Sequence, residues 1–227
     1  MTTEPESFPE LVARCNAQFI PQKLDDFIGT RVTDNGAGAR LVAEQIQTDA
    51  ILAQRHGSPL KYLINGPPGD GKSMLACWLQ QLLGCNKWST QKKNGTQVKM
   101  ELIDEWEASM HYKSLFGEFR LFWIDEADKI PSAAQVRFLT MLDDLPNHVA
   151  IVCTSNCKTS DFEPRFQSRF QVVEVVPPHV HEIEALLSKY CDDQQAIKNI
   201  AAFACGNVRA ALLDVKNTLA ATLKLAA

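Results

Sequence analysis

The sequence predicts an α/β fold, a parallel sheet flanked by helices and followed by a small domain of three helices. Short apolar segments alternate with segments of helical spacing through most of the 227-residue chain, and this alternation is typical of a parallel sheet covered on both faces. After Pro177-Pro178 the strand pattern stops, and the remaining segments all have helical spacing. The expected division is a lead-in over residues 1–18, the α/β domain over 19–176 and a helical lid domain over 177–227.

The individual elements follow from their apolar spacing. A short apolar run at 62–64 is suited to a buried strand, and the run at 74–83 has helical spacing. Residues 98–103 alternate as a half-exposed strand does, after a polar connection that starts at 87. Ser132 is a suitable N-terminal cap for the helix that begins there. We expect the other strands at 119–124, 149–154 and 172–176, and the other helices at 40–55, 106–116, 132–142, 182–190, 193–204 and 208–225.

The composition indicates a soluble globular protein with one core and room for a small satellite domain. The chain is 45% hydrophobic and 22% charged, with a formal net charge of −4. This balance argues against a free-standing, strongly basic nucleic-acid binder. No apolar run is long enough to span a bilayer, and residues 1–10 contain no signal-peptide core. We therefore expect a cytoplasmic protein with no membrane partner.

The cysteines indicate a reducing compartment. There are seven, an odd number, and no Cys-x-x-Cys pair occurs, which is typical of free thiols. Cys153, Cys157, His179 and His181 could be imagined as zinc ligands, but no second cysteine pair completes the set. We therefore do not favour a zinc site.

The most informative segment is Gly-Pro-Pro-Gly-Asp-Gly-Lys-Ser at residues 66–73, a G-x-x-x-x-G-K-[ST] pattern. Its glycines allow backbone N–H groups to approach phosphates closely. The lysine supplies a positive charge to the β- and γ-phosphate oxygens, and the serine offers a hydroxyl to Mg²⁺. A strand before it and a helix after it complete the context in which this pattern binds a nucleoside triphosphate. The expected nucleotide-binding residues here are Gly66, Pro67, Pro68, Gly69, Asp70, Gly71, Lys72, Ser73 and Met74.

A second motif, Leu-Phe-Trp-Ile-Asp-Glu at 121–126, is an apolar strand that ends in two carboxylates. Ligands of parallel sheets bind at the carboxyl ends of the strands. Asp125 is then expected near Mg²⁺, with Ser73 as the other metal-side residue, and Glu126 is expected to polarise the attacking water. Alone, the acidic pair could equally be a solvated turn. The phosphate loop in the same chain favours the functional interpretation.

Further segments accompany these two motifs: Leu-Asp-Asp-Phe-Ile-Gly at 24–29, Thr-Ser-Asn at 154–156, Phe-Gln-Ser-Arg-Phe at 166–170 and Gly-Asn-Val-Arg-Ala-Ala-Leu at 206–212. In this combination the chain resembles the AAA+ ATPases, and most closely the small subunits of clamp loaders of the replication factor C type. The resemblance covers about residue 19 to the end. It implies a P-loop AAA+ parallel sheet with a three-helix lid.

The resemblance also implies roles for single residues at a site for ATP and Mg²⁺. Asn156 would hold the attacking water, and Arg209 would reach the γ-phosphate from the lid. Arg169 would act in trans on ATP bound by a neighbouring subunit, where an arginine stabilises the transferring phosphoryl group, and Arg165 competes for this role. Ile28, Gly29 and Val208 would pack around adenine.

Each of these polar residues has a structural alternative. Asn156 can simply cap a strand end, and Arg209 can be a solvated helix residue. Arg169 can pair on the surface with Glu163 or Glu174.

Three departures from the clamp-loader pattern bear on partners. The chain ends at Ala227 without the family's helical collar, so we expect a ring or spiral of like or unlike subunits that assembles through the AAA+ modules or another protein. Ile20-Pro21 replaces an Arg-Pro pair, and Leu139-Thr140 replaces an arginine pair that faces DNA or neighbouring subunits in the family. The lysines at positions 87, 92, 93 and 99 can compensate or form a solvated loop.

Three functions remain open from the sequence. The favoured one is an ATPase that assembles on DNA in replication or a related recombination or transposition process. The second is a protein-remodelling motor, because Leu115-Phe116-Gly117 is faintly similar to a pore loop. The third is a nucleotide-gated scaffold with little hydrolysis, against which an intact Glu126 argues.

Overall fold

The computed structural model describes residues 20–114 and 117–225. Within them the chain forms a six-stranded sheet of order β1-β6-β2-β5-β4-β3 and eight α-helices. The expected lead-in and two residues of the segment similar to a pore loop, 115 and 116, lie outside the described residues. The strands are β1 (Ala37–Gly38), β2 (Leu60–Asn65), β3 (Thr90–Asn94), β4 (Arg120–Asp125), β5 (Val149–Ser155) and β6 (Gln171–Val176). The helices are α1 (Ala39–His56), α2 (Lys72–Leu82), α3 (Met100–Met110), α4 (Ser132–Asp143), α5 (Pro164–Gln167), α6 (Val180–Leu187), α7 (Gln194–Ala204) and α8 (Val208–Leu225).

This architecture confirms the predicted α/β fold with three helices at its C-terminal end. All strand pairs in the sheet are parallel. Strands β2, β5 and β4 lie side by side, and their carboxyl ends meet at one edge because Asn65 pairs with Ser155 and Ile124 pairs with Cys153. Polar residues that follow these three strands are thereby brought close together.

The prediction for residues 87–116 was wrong. The strand lies at Thr90–Asn94 instead of 98–103, and the following helix begins at Met100 instead of 106. Strand β3 is an edge strand with the polar sequence Thr-Gln-Lys-Lys-Asn and no buried residue, so its hydrophobic pattern is weak. Ile103, Trp106 and Met110 are the buried residues of α3, a spacing of three and four that is helical.

The predicted cap at Ser132 was also wrong. Ser132 is the first residue of α4, and the residue before it, Pro131, occupies the cap position without a side-chain hydrogen bond. Proline fixes φ near the value it has here, so the chain enters the helix without a hydroxyl cap.

Two hydrophobic clusters cover the two faces of the sheet. Strand β4 shows the alternation, because Leu121 and Trp123 belong to one cluster and Phe122 and Ile124 belong to the other. Helices α1 and α2 pack on the first face, and α3 and α4 pack on the second. The ring of Trp106 stacks on Phe122 with centroids 4.7 Å apart. The sheet is therefore buried on both sides, as parallel sheets are.

The three C-terminal helices have a hydrophobic cluster of their own, which includes Ile183, Leu187, Ile197 and Val215. Asp193 caps α7, because its Oδ1 accepts hydrogen bonds from the backbone of Gln195 and Ala196. Along the described ranges, none of the helices is both long enough and apolar enough to cross a membrane.

The start of α8 lies directly against the loop that follows β2. The backbone N–H of Arg209 donates to the carbonyl of Gly69 at 3.3 Å. A Cβ atom at Gly69 would lie 1.9 Å from Oδ1 of Asn207, and Gly69 has a φ of +93°. Only glycine satisfies both the close approach and this backbone conformation. The helical unit is thus in contact with the predicted phosphate loop.

Candidate active site

Two adjoining cavities lie where the carboxyl ends of the central strands meet the C-terminal helices. The larger, of about 440 Å³, has mainly apolar walls, and the smaller, of about 290 Å³, has polar walls. The two cavities share a wall, which is formed by Gly69, Gly71, Ser73 and Arg209. A nucleotide has the same division into an apolar base and a charged phosphate chain.

The loop between β2 and α2 supplies Gly69 and Gly71 to this common wall. Gly69 and Gly71 have φ values of +93° and +91°, a region that glycine enters without steric cost. Lys72 begins α2, and its Nζ donates to the carbonyls of Gly66 at 2.7 Å and Pro67 at 2.6 Å. Burial lowers the pKa of the Lys72 ammonium, and neighbouring Asp70 opposes this effect. The N-terminal turn of α2 adds its dipole to the positive charge of the lysine.

Asp70 places a buried carboxylate inside this loop. Only 3% of the residue is exposed, and Oδ2 has no hydrogen-bond partner among the described residues. Burial raises the pKa of Asp70 to about 6, and the charge of Lys72 acts in the opposite direction. The loop therefore contains an acid whose ionisation costs free energy in the folded protein.

Asp125, at the end of β4, is held by three donors. Its Oδ1 accepts from Nε1 of Trp123 and from Oγ1 of Thr154, both at 2.9 Å. Its Oδ2 lies 2.7 Å from Nζ of Lys92 on the neighbouring strand β3. The same ammonium lies 3.6 Å from the centroid of the Trp123 ring. The carboxylate thus has a fixed orientation toward the polar cavity that it lines.

Glu126 follows Asp125 with a φ of +57°, in the left-handed region that is uncommon for residues other than glycine. Its Oε2 accepts from Nδ2 of Asn94 at 2.7 Å and from Nζ of Lys129 at 2.9 Å. These two hydrogen bonds, that from Asn94 first, lower the pKa of Glu126. Gly95 permits the close approach of the two segments, because a Cβ there would lie 2.1 Å from the Glu126 carbonyl oxygen. The turn and the end of β3 together orient the glutamate.

The oxygen ligands in the polar cavity suit Mg²⁺. The Ser73 hydroxyl and the Asp125 carboxylate line the same cavity, and Mg²⁺ prefers such hard ligands. Across residues 20–114 and 117–225, no group of three or more His, Cys, Asp or Glu is arranged to hold a metal ion. Mg²⁺ commonly binds through one or two protein oxygens plus waters and substrate phosphates. The residues present therefore fit a cation that arrives with a nucleotide.

The residues expected to contact the attacking water and the γ-phosphate, Asn156 and Arg209, also line the polar cavity. Asn156 follows the last residue of β5, and Arg209 lies at the start of α8. Arg209 lines both cavities, and its side chain makes no hydrogen bond or ion pair with the described part of the chain. Next to Asn156, Ser155 donates its hydroxyl to Oδ1 of Asp128 at 2.6 Å. The fold thus brings together residues that are far apart in the sequence.

The expected adenine contacts are brought together only in part. Of the three expected contacts, Ile28 and Val208 line the apolar cavity, which Phe27, Met74 and Leu212 also line. Gly29 is not among the described residues that line it, and its backbone packs against Gly38 instead. Gly66 and Pro67 likewise line neither cavity among the described residues, but their carbonyls hold Lys72. The remaining phosphate-loop residues, Pro68, Gly69, Asp70, Gly71, Lys72 and Ser73, each line at least one of the two.

The arginine segment lies outside both cavities. Arg169 is joined to Asp143 of α4 by two hydrogen bonds of 2.8 Å, and it also donates to the Arg165 carbonyl. The expected surface partners of Arg169 were Glu163 and Glu174, but its partner is Asp143. The side chain of Arg165 is exposed and makes no hydrogen bond or ion pair within the described residues. Neither arginine is among the described residues that line the cavities.

Two residues that hold the carboxylates, Lys92 and Asn94, were not among the predicted site residues. Asn94 pairs with Asp125, and Lys92 pairs with Trp123, in the register of β3 and β4. Both were missed because β3 was interpreted as a polar connection. The sequence nevertheless contains a signal for them. Lys92 and Asn94 are two residues apart, so in a strand their polar side chains lie on one face.

Comparisons with known proteins agree with this geometry. Residues 62–178 match the ATPase family associated with various cellular activities (AAA). A RuvB mutant from Thermotoga maritima superposes with a TM-score of 0.74 at 20% identity, covering 92% of this chain and 68% of that chain. A DNA polymerase III gamma subunit-related protein from Thermotoga maritima superposes with a TM-score of 0.59 at 18% identity, covering 76% and 57%. At these identities the likeness shows the fold.

One curated sequence, an uncharacterized AAA domain-containing protein of Mycobacterium tuberculosis, is 24% identical over 186 residues. The match covers 74% of this chain and 40% of that protein. The chain therefore spans less than half the length of this relative.

The buried Asp70 predicts a pH-dependent stability. Its pKa is about 6 in the folded chain and near 3.8 as its ordinary value, so the folded state binds the proton more tightly. The stabilisation this gives is fully present below about pH 4 and is lost as the pH rises through 6. Asp70→Asn should therefore raise the free energy of unfolding by about 1–3 kcal/mol at pH 8, and the gain should shrink as the pH falls toward 4.5.

Urea unfolding without nucleotide, followed by circular dichroism, measures this difference. Asp34→Asn, at an exposed position, is the matched control and should change little. A gain for Asp70→Asn that is the same at both pH values would contradict the assignment.

Proposed function

Because the chain belongs to the ATPase family associated with various cellular activities (AAA), we propose that it binds ATP with Mg²⁺ and hydrolyses it at an interface between subunits. The observation that carries the proposal is the convergence of Lys72, Ser73, Asp125, Glu126 and Arg209 on one polar cavity. These residues come from three different parts of the chain. An apolar cavity of suitable size adjoins it.

ATP would occupy both cavities. The base and ribose would lie against Ile28, Met74 and Val208, with the phosphates against the N-terminus of α2. The Lys72 ammonium would exchange the carbonyls of Gly66 and Pro67 for phosphate oxygens, a stronger charge-assisted contact. The Ser73 hydroxyl and, through water, the Asp125 carboxylate would hold Mg²⁺, which would supply positive charge to the phosphates.

Glu126 would orient and deprotonate the attacking water. Asn94 and Lys129 both bond to Oε2, so among the described residues Oε1 has no donor and can accept from water. The lowered pKa of Glu126 keeps the carboxylate ionised. Asn156 would hold the same water from the end of β5, and Arg209 would stabilise charge on the γ-phosphate from the helical unit.

An arginine from another subunit would complete the site. Arg169 and Arg165 do not line the cavities of their own chain, as far as the described residues show. In a ring or spiral of like or unlike subunits, this segment would face the nucleotide of a neighbour. We assign the role to Arg169, in accord with the resemblance of residues 166–170, with Arg165 as the alternative. The Asp143 carboxylate would hold Arg169 in orientation until the interface forms.

The process we propose is DNA replication or a related recombination or transposition reaction, in the manner of a clamp loader. The support is the fold shared with RuvB and with a DNA polymerase III gamma subunit-related protein. Of the four lysines that could contact DNA, Lys92 is engaged by Asp125. A contact with DNA would therefore depend on the lysines at positions 87, 93 and 99.

Two variants should separate nucleotide binding from turnover. Lys72→Ala should weaken ATP binding by roughly 100-fold or more, because a buried charge-assisted contact is lost. Glu126→Gln should bind ATP normally and lose about 10²–10⁴-fold in turnover, because it cannot accept a proton. Calorimetry measures the first and phosphate release the second.

Lys99→Ala and Glu118→Gln, both at exposed positions, are the matched controls. Micromolar ATP affinity in Lys72→Ala would exclude the phosphate-loop assignment. A near-normal rate in Glu126→Gln would remove Glu126 as the base.

Subunit mixing tests the role of Arg169 in trans. Arg169→Ala and Lys72→Ala subunits should each be inactive alone, and mixtures should regain turnover at those interfaces that pair an intact loop with an intact arginine. Asp143→Ala breaks the ion pair but keeps Arg169. It therefore separates the effect of losing the arginine from the effect of losing its ion pair with Asp143. No recovery at any ratio would count against Arg169, and the same mixture made with Arg165→Ala then tests the alternative.

DNA dependence tests the proposed process. Phosphate release should rise at least several-fold with primed or duplex DNA if the ATPase assembles on DNA, and the rise should fall steeply with salt. Turnover that never responds to DNA would favour a remodelling motor. Tight ATP binding with no turnover under any condition would favour a scaffold.

A further inference from the structure

Lys92 has a position that the proposed reaction does not use. Its ammonium lies between Oδ2 of Asp125 at 2.7 Å and the face of the Trp123 ring at 3.6 Å. Lys92 and Trp123 are paired residues on adjacent strands, so their side chains lie on the same face of the sheet. The Lys92 ammonium is thus placed at the same carboxylate that would hold Mg²⁺ in the proposed function.

Three donors already contact Asp125, and only Oδ2 has room for a further one. Oδ1 accepts from the Trp123 indole and the Thr154 hydroxyl, and Oδ2 accepts from Lys92. Water bound to Mg²⁺ would need an oxygen of this carboxylate as its acceptor. Hydrated Mg²⁺ would therefore approach the same oxygen as the Lys92 ammonium, and repulsion between the two cations favours displacement of the ammonium.

Of the three donors to Asp125, the Lys92 ammonium is the one best able to move away from the carboxylate. The Lys92 side chain is 48% exposed, whereas the indole of Trp123 belongs to the core cluster. A lysine ammonium is a point charge on a flexible stem. After the contact between Lys92 and Asp125 is broken, the face of the Trp123 ring would still attract the ammonium. Trp123 and Thr154 would keep Asp125 in place.

We propose that Lys92 acts as a built-in counter-ion that competes with hydrated Mg²⁺ for Asp125, and so sets the Mg²⁺ concentration at which the site fills. The inference rests on the proposed Mg²⁺–ATP function. Lys92 is a positioning residue, because it touches neither nucleotide nor water in this scheme. Its positive charge also opposes a second cation at the same oxygen.

Trp123 should report the exchange. Its ring contacts the ammonium, and its N–H is bonded to the carboxylate. Displacement of Lys92 changes the field at the indole, so Mg²⁺ should change its fluorescence in the presence of a non-hydrolysable ATP analogue. Trp123→Phe should lose this change although the other three tryptophans remain.

The test is a Mg²⁺ titration of the full chain at saturating analogue, followed by fluorescence and by calorimetry. Lys92→Met should lower the half-saturating Mg²⁺ concentration by about 3- to 10-fold and leave analogue affinity in EDTA within about twofold of wild type. Lys92→Arg keeps the charge and should stay near the wild-type midpoint. Lys93→Met removes the same charge on the opposite face of β3 and should not shift it.

Equal midpoints for wild type and Lys92→Met would overturn the inference, as would an equal shift in Lys93→Met. Weaker analogue binding by Lys92→Met in EDTA would also overturn it, because Lys92 would then contact phosphate. These outcomes leave the proposed function standing as long as the wild type binds the analogue. If the wild type does not bind it with or without Mg²⁺, both proposals fail.

Discussion

The parallel pairing of β2, β5 and β4 is the constraint on which the site depends. The register places the ends of three strands at one edge of the sheet, and each end leads into a different functional segment. The phosphate loop follows β2, the acidic pair ends β4, and Asn156 follows β5. Because both faces of the sheet are buried under helices, these ends cannot slip relative to one another without exposing a core face. The precision of the site therefore comes from the core of the sheet.

Segments whose function requires a local pattern could be predicted from the sequence. The phosphate loop needs glycines, lysine and serine at fixed spacing, and the acidic pair needs an apolar strand before it. The edge strand β3 could not be found in this way, because none of its residues is buried and Lys92, Lys93 and Asn94 stand in place of an apolar alternation. The partner of Arg169 was equally hidden, since Asp143 lies 26 residues away and is brought near only by packing of α4 and α5.

The carboxylates of the site are controlled from the neighbouring strand. Asn94 holds Glu126, and Lys92 holds Asp125, so the edge strand sets the orientation of one acid and the counter-charge of the other. Asp125 and Glu126 thus each accept hydrogen bonds from neighbouring residues. Asp70, in the loop between β2 and α2, is the exception, because its buried Oδ2 has no donor among the described residues.

The ion pair between Arg169 and Asp143 joins the segment after α5 to the C-terminal end of α4. Helix α4 is the helix that follows the acidic strand. In the proposed assembly, the same stretch of chain that carries a subunit's carboxylates would therefore also orient the arginine that it presents to a neighbour. A chimaera that transplants residues 164–170 into another ATPase module would carry the arginines over. It would leave behind the carboxylate that orients Arg169, so a working graft needs α4 as well.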